Sequence, residues 1–113
     1  MSDLEKAIKM LDGLIKDYRL TNPDDGQTIV TCMQEASSIL YYLEGQRAIA
    51  HSKFQNKVKA EVDNGSSVAR AENEAHVLVP EMYLLRHKID SGYEALRAMG
   101  MQLSWIKTGL TNT

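Results

Sequence analysis

The feature that most constrains this chain is a heptad repeat in its last third. Every seventh residue is apolar at Met82, Ile89, Leu96, Leu103 and Leu110. The position three residues after each is occupied by Leu85, Gly92, Met99 and Ile106. Such spacing is typical of helices that pack as coiled coils. The pattern predicts a long helix with one continuous packing seam.

Two earlier stretches also have helical periodicity, and no stretch indicates a strand. Apolar residues four, three and four apart predict a helix over residues 1–20, with Ser2 in position to cap it. A second helix is predicted over residues 27–63. Its 3–4 spacing is kept by Val30, Met33, Ser37, Leu40, Leu43, Arg47, Ala50 and Phe54. The turn signal Asn64-Gly65 then folds the chain back as a helical hairpin.

The return helix is predicted over residues 67–110, with an interruption. Pro80 lacks an amide donor and disfavours helix in the residue before it. We therefore expect a break or kink near Val77–Val79, and Pro80 in the first turn of the last helix. The whole chain, residues 1–113, is then a single all-helical domain.

One sparse seam per helix cannot bury much surface within a hairpin of 113 residues. The expected fold is all-α: an elongated helical hairpin or coiled-coil-like bundle of about three to four helices, completed by oligomerisation. The expected interface residues are Leu85, Ile89, Gly92, Leu96, Met99, Gly100, Leu103, Trp105 and Ile106. Trp105 lies off the seam, so it either forms a second contact surface or covers its own hairpin.

Charge is unevenly distributed along the chain, which is weakly acidic as a whole at a net charge of −2. Residues 1–44 carry a net charge of −4, residues 45–60 one of +4, and residues 61–81 one of −4. The basic block contains four bases and no acid. The chain therefore has a localised electrostatic feature, which the mean charge hides.

Several functional classes lack support in the sequence. No phosphate-binding glycine loop, serine elbow or paired-carboxylate motif is present, so we expect no enzyme and no cofactor. Glu72 and His76 share a helix face, but a zinc site needs three or four ligands, so no metal is expected. Cys32 is interpreted as a small buried hydrophobe. No apolar run spans a membrane and no signal-peptide core occurs, which favours the cytoplasm, or the host cytoplasm if the chain is phage-encoded.

The basic block has the features of a single-stranded nucleic-acid interface. Bases one helical turn apart can follow a phosphate backbone, and an interleaved aromatic ring can stack on an unpaired base. The candidate DNA-binding residues are Arg47, Lys53, Phe54, Lys57 and Lys59. The alternative is an ordinary solvated helix surface with Phe54 in the core. Tyr41 and Tyr42 are also candidates for a base-stacking platform. They flank the seam residues Leu40 and Leu43, however, so we expect them to pack in the core or in an interface.

Two short segments resemble UvsY-type recombination mediators of T-even-like phages. The C-terminal helix of that family has an acid, an alanine, an aliphatic and a base, then a glycine followed by a large apolar residue and two spaced aliphatics. The matching residues here are Glu94, Ala95, Leu96, Arg97, Gly100, Met101, Leu103 and Ile106. Residues 59–63, KAEVD, are similar to the segment with which the family binds single-stranded DNA. Lys59 matches its lysine, whereas Glu61 stands where the family has an arginine.

The resemblance implies an oligomeric, non-catalytic mediator that binds single-stranded DNA. Its implied partners are a phage recombinase and a single-strand binding protein, and its implied role is to help load the recombinase. A different class of function also fits the acidic 61–81 segment. This alternative is a structural or protein-interaction module, such as a phage assembly chaperone or a small inhibitor of a host protein.

Overall fold

Four helices form this protein, in a computed structural model that describes residues 2–79 and 81–111. They are α1 (Asp3–Leu20), α2 (Gly26–Asp63), α3 (Val68–Leu78) and α4 (Glu81–Thr111). The described residues contain no strand, so the all-α prediction is confirmed. The helix bounds lie within one or two residues of those expected from the sequence.

Short polar side chains define where the helices begin. Oxygens of Ser2, Asp25 and Ser67 each accept the backbone N–H three residues further on, at 3.2, 3.1 and 3.3 Å. Each bond satisfies one of the amide donors that the first turn of a helix leaves unpaired. Between α2 and α3 the chain reverses at Gly65, whose φ of +99° favours a residue without a Cβ atom.

The return helix is interrupted where the sequence predicts a break. α3 ends at Leu78, and Val79 leaves helical geometry with φ −126° and ψ 61°. α4 begins two residues later. The expected placement of Pro80 in the first turn of α4 lies outside the described residues.

α2 is the axis of an elongated molecule. α1 and α4 pack against it and touch each other, whereas α3 packs mainly against α2. The molecule measures 70 × 30 × 18 Å, with a radius of gyration of 19.1 Å. A compact domain of about 100 residues has a radius of about 13 Å. The chain is therefore a three-helix bundle extended by a two-helix end, which we call the α2–α3 end (residues 51–78).

The α4 seam faces α2 of the same chain. Leu85, Ile89 and Met99 are at most 2% exposed, and Gly92 is buried against Leu40. Leu96, Leu103 and Ile106 are half-buried against the same two core clusters. The expectation that other subunits complete this seam is therefore wrong for Leu85, Ile89, Gly92 and Met99, because α1 and α2 of the same chain already cover them. The side chain of Leu110 lies outside the described part.

The buried stripe of α2 is displaced from the one predicted. Val30 and Ser37 are exposed, although the 3–4 spacing placed them in the seam. The buried residues of α2 are Ile29, Cys32, Ala36, Ile39, Leu40, Leu43 and Ala50. The stripe is broad in the first half of α2 because α1 and α4 cover it from two sides.

Three polar contacts between distant segments hold the bundle in register. Lys88 Nζ lies 2.9 Å from Asp12 Oδ2 and joins α4 to α1. The hydroxyl of Tyr93 donates to Glu44 Oε1 at 2.7 Å and joins α4 to α2. Near the other end of α4, the amide of Gln102 donates to a backbone carbonyl in the turn between α1 and α2. These contacts tie the long return helix to both of its neighbours.

Candidate nucleic-acid interface

The basic side chains of the second half of α2 point in different directions. Lys53 and Lys57 are four residues apart, so they lie on one side of the helix, about 40° apart. Lys59 is six residues from Lys53 and lies about 120° away around the axis. Lys53 and Lys59 are exposed, and Lys57 is half-buried. The basic block (residues 45–60) thus forms a surface that wraps around α2. Its two exposed ammonium groups, on Lys53 and Lys59, lie on different sides of the helix.

Lys57 has an acidic neighbour one turn along the helix. Its Nζ lies 3.6 Å from Glu61 Oε1. Glu61 is the acid that replaces the arginine of the resembled DNA-binding segment. Because the pair is partly exposed, the interaction is weak and Lys57 keeps access to solvent. Glu61 nevertheless lowers the positive potential around Lys57.

Phe54 belongs to an aromatic cluster within the chain. Its ring centroid lies 4.7 Å from that of His76, which in turn lies 4.8 Å from the ring of Tyr83. The Tyr83 hydroxyl is 2.9 Å from His76 Nε2. Phe54 is half-buried and packs on the main core cluster. One side of its ring is therefore used to join α2 to α3, as the alternative interpretation of this residue expected.

Arg47 lies at the edge of the three-helix bundle. It is half-buried and borders a shallow pocket with Glu44, Ala48 and His51. The Glu44 carboxylate also accepts the bond from Tyr93, and this bond raises the pKa of the Tyr93 hydroxyl. Arg47 thus shares its pocket with a carboxylate.

An apolar groove opens on the α2–α3 end. It has a volume of about 440 Å³ and is lined by Phe54, Val58 and Val62, with Lys59 and Gln55 also on its wall. The carboxylates of Asp63 and Glu72 border it too. The groove is therefore a mixed surface in which one lysine faces two acids.

Tyr41 is the more exposed residue of the Tyr41-Tyr42 pair. It is 81% exposed, which makes the expectation that it packs in the core wrong. Its neighbour Tyr42 is 36% exposed. Tyr41 precedes Lys59 by eighteen residues, which is five helical turns, so the two side chains leave α2 in the same direction. Tyr41 therefore lies on the same side of α2 as Lys59, about 27 Å away along the helix axis.

A second exposed apolar surface lies on α4. Trp105 is 66% exposed and Met101, one turn earlier, is 54% exposed. Ala98 is also exposed and continues this surface by one turn. Of the expected interface residues, Trp105 is the one that remains exposed, and nothing lies within 4 Å of the place a Cβ atom on Gly100 would take. Trp105 therefore does not cover its own hairpin.

The other chemically reactive groups are inaccessible or scattered. Burial raises the pKa of the Cys32 thiol, aided by the nearby carboxylates of Glu35 and Asp17. A thiol with a raised pKa is a poor nucleophile at neutral pH. Over the described ranges, no group of three or more His, Cys, Asp and Glu residues is arranged to hold a metal ion.

The chain matches no protein-family model, no curated protein and no solved structure. Within residues 2–79 and 81–111, none of the helices combines the length and the apolar character needed to cross a bilayer. The functional inference therefore rests on the two exposed surfaces themselves: the basic face of α2 and the Met101–Trp105 face of α4.

Proposed function

We propose that this protein is an oligomeric single-stranded-DNA-binding recombination mediator of phage origin that helps load a recombinase. The observation that carries the proposal is the basic second half of α2. Residues 45–60 contain four bases and no acid, and Lys53 and Lys59 are exposed there. Basic side chains along an exposed helix attract phosphates without requiring a particular base sequence.

The proposed affinity of one chain is low, and oligomerisation raises it. Two or three phosphate contacts per chain give weak binding that decreases as salt increases. Several linked copies present the same surface at a high effective concentration, so their combined affinity for a long strand is much greater. An oligomer also fits a mediator, which has to hold an extended length of strand.

The face through which the copies associate is proposed to be Ala98, Met101 and Trp105 of α4. These residues follow the 3–4 spacing of one helix face and are exposed in the single chain. Antiparallel pairing of two copies about Met101 places Arg97 of each opposite Trp105 of the other. A guanidinium over an indole ring is a favourable contact, so the face is complementary to itself. The recombinase and the single-strand binding protein remain the proposed protein partners, on the strength of the resemblance.

The test of DNA binding is the combined replacement of Lys53, Lys57 and Lys59 by glutamine. Fluorescence anisotropy with a labelled thymidine oligonucleotide measures the affinity, and a labelled duplex measures strand preference. The matched control replaces three exposed lysines of α1, which are Lys6, Lys9 and Lys16. Both variants lose three positive charges, so a general charge effect is the same in each.

The proposal predicts that the α2 variant loses most of its affinity while its oligomer mass is unchanged, and that the α1 variant binds like the wild type. Equal losses in both variants would show that only net charge matters. Absence of any binding by the wild type at low salt would refute the proposed function.

A second candidate function is a structural or protein-interaction module. The observation that favours it is the exposure of Trp105 and Met101, because tryptophan is enriched in the energetically important parts of protein interfaces. It predicts that the α2 variant binds and functions like the wild type. Under this candidate, replacement of Trp105 by alanine abolishes function without any effect on nucleic-acid affinity.

A further inference from the structure

The outer face of α2 continues beyond the basic block to an exposed aromatic ring. Across residues 2–79 and 81–111, no hydrogen bond, ion pair or ring contact involves the side chain of Tyr41, which is 81% exposed. A tyrosine with both its ring and its hydroxyl in water contributes little to the packing of its own chain. In the middle of a 38-residue helix, its ring is therefore accessible to a partner outside the chain.

Tyr41 and Lys59 mark the two ends of one straight stripe. They are five helical turns apart and about 27 Å apart along the axis. Between them, the residues that continue the stripe at 3–4 spacing are exposed, uncharged and free of bulky side chains. They are Gly45, Ala48, Ser52 and Gln55. Nothing on the helix itself obstructs a ligand that follows this line.

The charged side chains on and beside the stripe are mostly basic and therefore favour an anionic ligand. Between residues 36 and 60, Glu44 is the one acid, and it accepts the hydrogen bond from Tyr93 on the flank that faces α4. Lys59 closes the stripe, and Lys53 lies exposed on the neighbouring side. An acidic peptide and a nucleic acid both carry the negative charge that these lysines attract. A nucleic acid adds flat unpaired bases at regular spacing, and an exposed aromatic ring binds such bases by stacking.

We propose that Tyr41 stacks on an unpaired base of a single strand of DNA that runs along this stripe, with a phosphate of the strand held by Lys59. The proposal rests on the proposed function and extends its binding surface from the basic block towards the first half of α2. Duplex DNA does not make this contact, because its bases are stacked on one another and present no free face to Tyr41. The acids Asp63 and Glu72 beyond Lys59 repel phosphates and mark the end of the strand's path.

The test is to remove the ring and then to restore it. Replacement of Tyr41 by leucine keeps an apolar side chain but removes the aromatic face, whereas replacement by phenylalanine keeps the ring. Because the side chain is so exposed, both variants fold as the wild type does, which circular dichroism and urea unfolding verify. Stacking of one base predicts that Tyr41→Leu weakens binding to a thymidine oligonucleotide about 5- to 150-fold and that Tyr41→Phe binds as the wild type does.

Two further readouts separate stacking from charge. The salt dependence of binding stays unchanged in Tyr41→Leu, since no phosphate contact is lost, whereas it becomes shallower in Lys59→Gln. Replacing the bases of the oligonucleotide by abasic sites weakens binding to the wild type but has little further effect on Tyr41→Leu. Together these results support the stacking role.

The outcomes that overturn the inference are distinct from those that overturn the proposed function. If the wild type binds DNA and Lys59→Gln weakens it, but Tyr41→Leu binds like the wild type, the stacking role is wrong and the DNA-binding function stands. If the wild type binds acidic peptides of equal charge as tightly as the oligonucleotide, the stripe does not recognise bases. If the wild type binds no DNA at low salt, both proposals fail.

Discussion

Replacement of Gly92 by alanine isolates the packing of α4 against α2. A Cβ atom on Gly92 would lie 2.6 Å from Leu40 Cδ2 and 3.2 Å from its Cδ1 and Cγ. Leu40 is itself only 1% exposed, so its side chain has little space into which to turn. Overpacking a tight core costs about 1–3 kcal/mol. The better helix propensity of alanine returns about 1 kcal/mol, so the net loss of stability is about 0–2 kcal/mol.

Gly100 of the same helix provides the matched control. No atom lies within 4 Å of the place its Cβ would occupy, so Gly100→Ala gains about 1 kcal/mol of helix propensity without a clash. The propensity terms cancel when the two variants are compared. The free energy of unfolding of Gly92→Ala is therefore expected to lie about 1–3 kcal/mol below that of Gly100→Ala.

Urea unfolding followed by circular dichroism measures this difference. With the slopes usual for a small protein, it corresponds to unfolding midpoints that differ by about 1 M urea. All variants are compared at one protein concentration, because association would stabilise them unequally. Equal midpoints would refute the reasoning, since they would mean that Gly92 does not press against Leu40 and that the α4 seam is not closed within the chain. A Gly100→Ala variant less stable than the wild type would show that Gly100 has a neighbour in another subunit.

Two further predictions concern assembly and pH. Trp105→Ala is expected to reduce the mass measured by light scattering towards that of the 12.7 kDa monomer, whereas Tyr41→Leu leaves it unchanged; an unchanged mass in Trp105→Ala would exclude this face from assembly. The hydroxyl and the backbone N–H of Thr28 donate to Asp25 and lower the pKa of its carboxyl below 3.8. The stabilisation of the folded state by these hydrogen bonds is therefore present above pH 3.8 and is lost as the pH falls through the lowered pKa. Asp25→Ser keeps a capping oxygen that does not titrate. Its unfolding temperature is therefore expected to fall less between about pH 5 and pH 2 than that of the wild type, and an equal fall would mean that Asp25 does not contribute to acid sensitivity.

Local signals in the sequence predict the helices well. Ser2 and the turn at Asn64-Gly65 act within a few residues, and the structure places helix ends at both. The effect of Pro80 on its preceding residues is equally local, and the break at Val79 follows from it. The heptad spacing also identifies the buried face of α4, but the helices that cover its buried residues belong to the same chain and not to another subunit. Periodicity shows that a face is buried without showing whether the covering helix belongs to the same chain.

The broad stripe of α2 shows where periodicity fails. Met33 and Leu40 continue the predicted seam, but Ile29 and Ala36 are buried beside it and Val30 is not. A single 3–4 spacing describes contact with one neighbouring helix, whereas α2 contacts one on each side. An error in the position of the buried face around α2 changes the predicted direction of every other side chain of that helix. Tyr41 was therefore expected on a packed face, whereas its side chain is exposed.

The candidate site was predictable in composition and not in geometry. The acid-free basic block is visible in the sequence, and Lys53 and Lys59 of the block are exposed. Two residues of the predicted set have other neighbours, one through a contact between helices and one through a contact within α2. Phe54 meets His76 of α3, and Lys57 has Glu61 beside it. The contact with His76 depends on how the chain folds back after Gly65, which residue spacing along α2 does not encode.

The salt dependence of single-stranded DNA binding tests the central claim most directly. The affinity of the wild-type protein for a labelled thymidine oligonucleotide is measured between about 50 and 200 mM salt. Each phosphate contact contributes about −0.7 to the slope of log K against log salt, so contacts by Lys53, Lys57 and Lys59 predict a slope of about −2 per bound chain. A slope of this size that becomes shallower when the three lysines are replaced is the predicted result. No affinity at the lowest salt, or an affinity that salt does not change, would contradict the account.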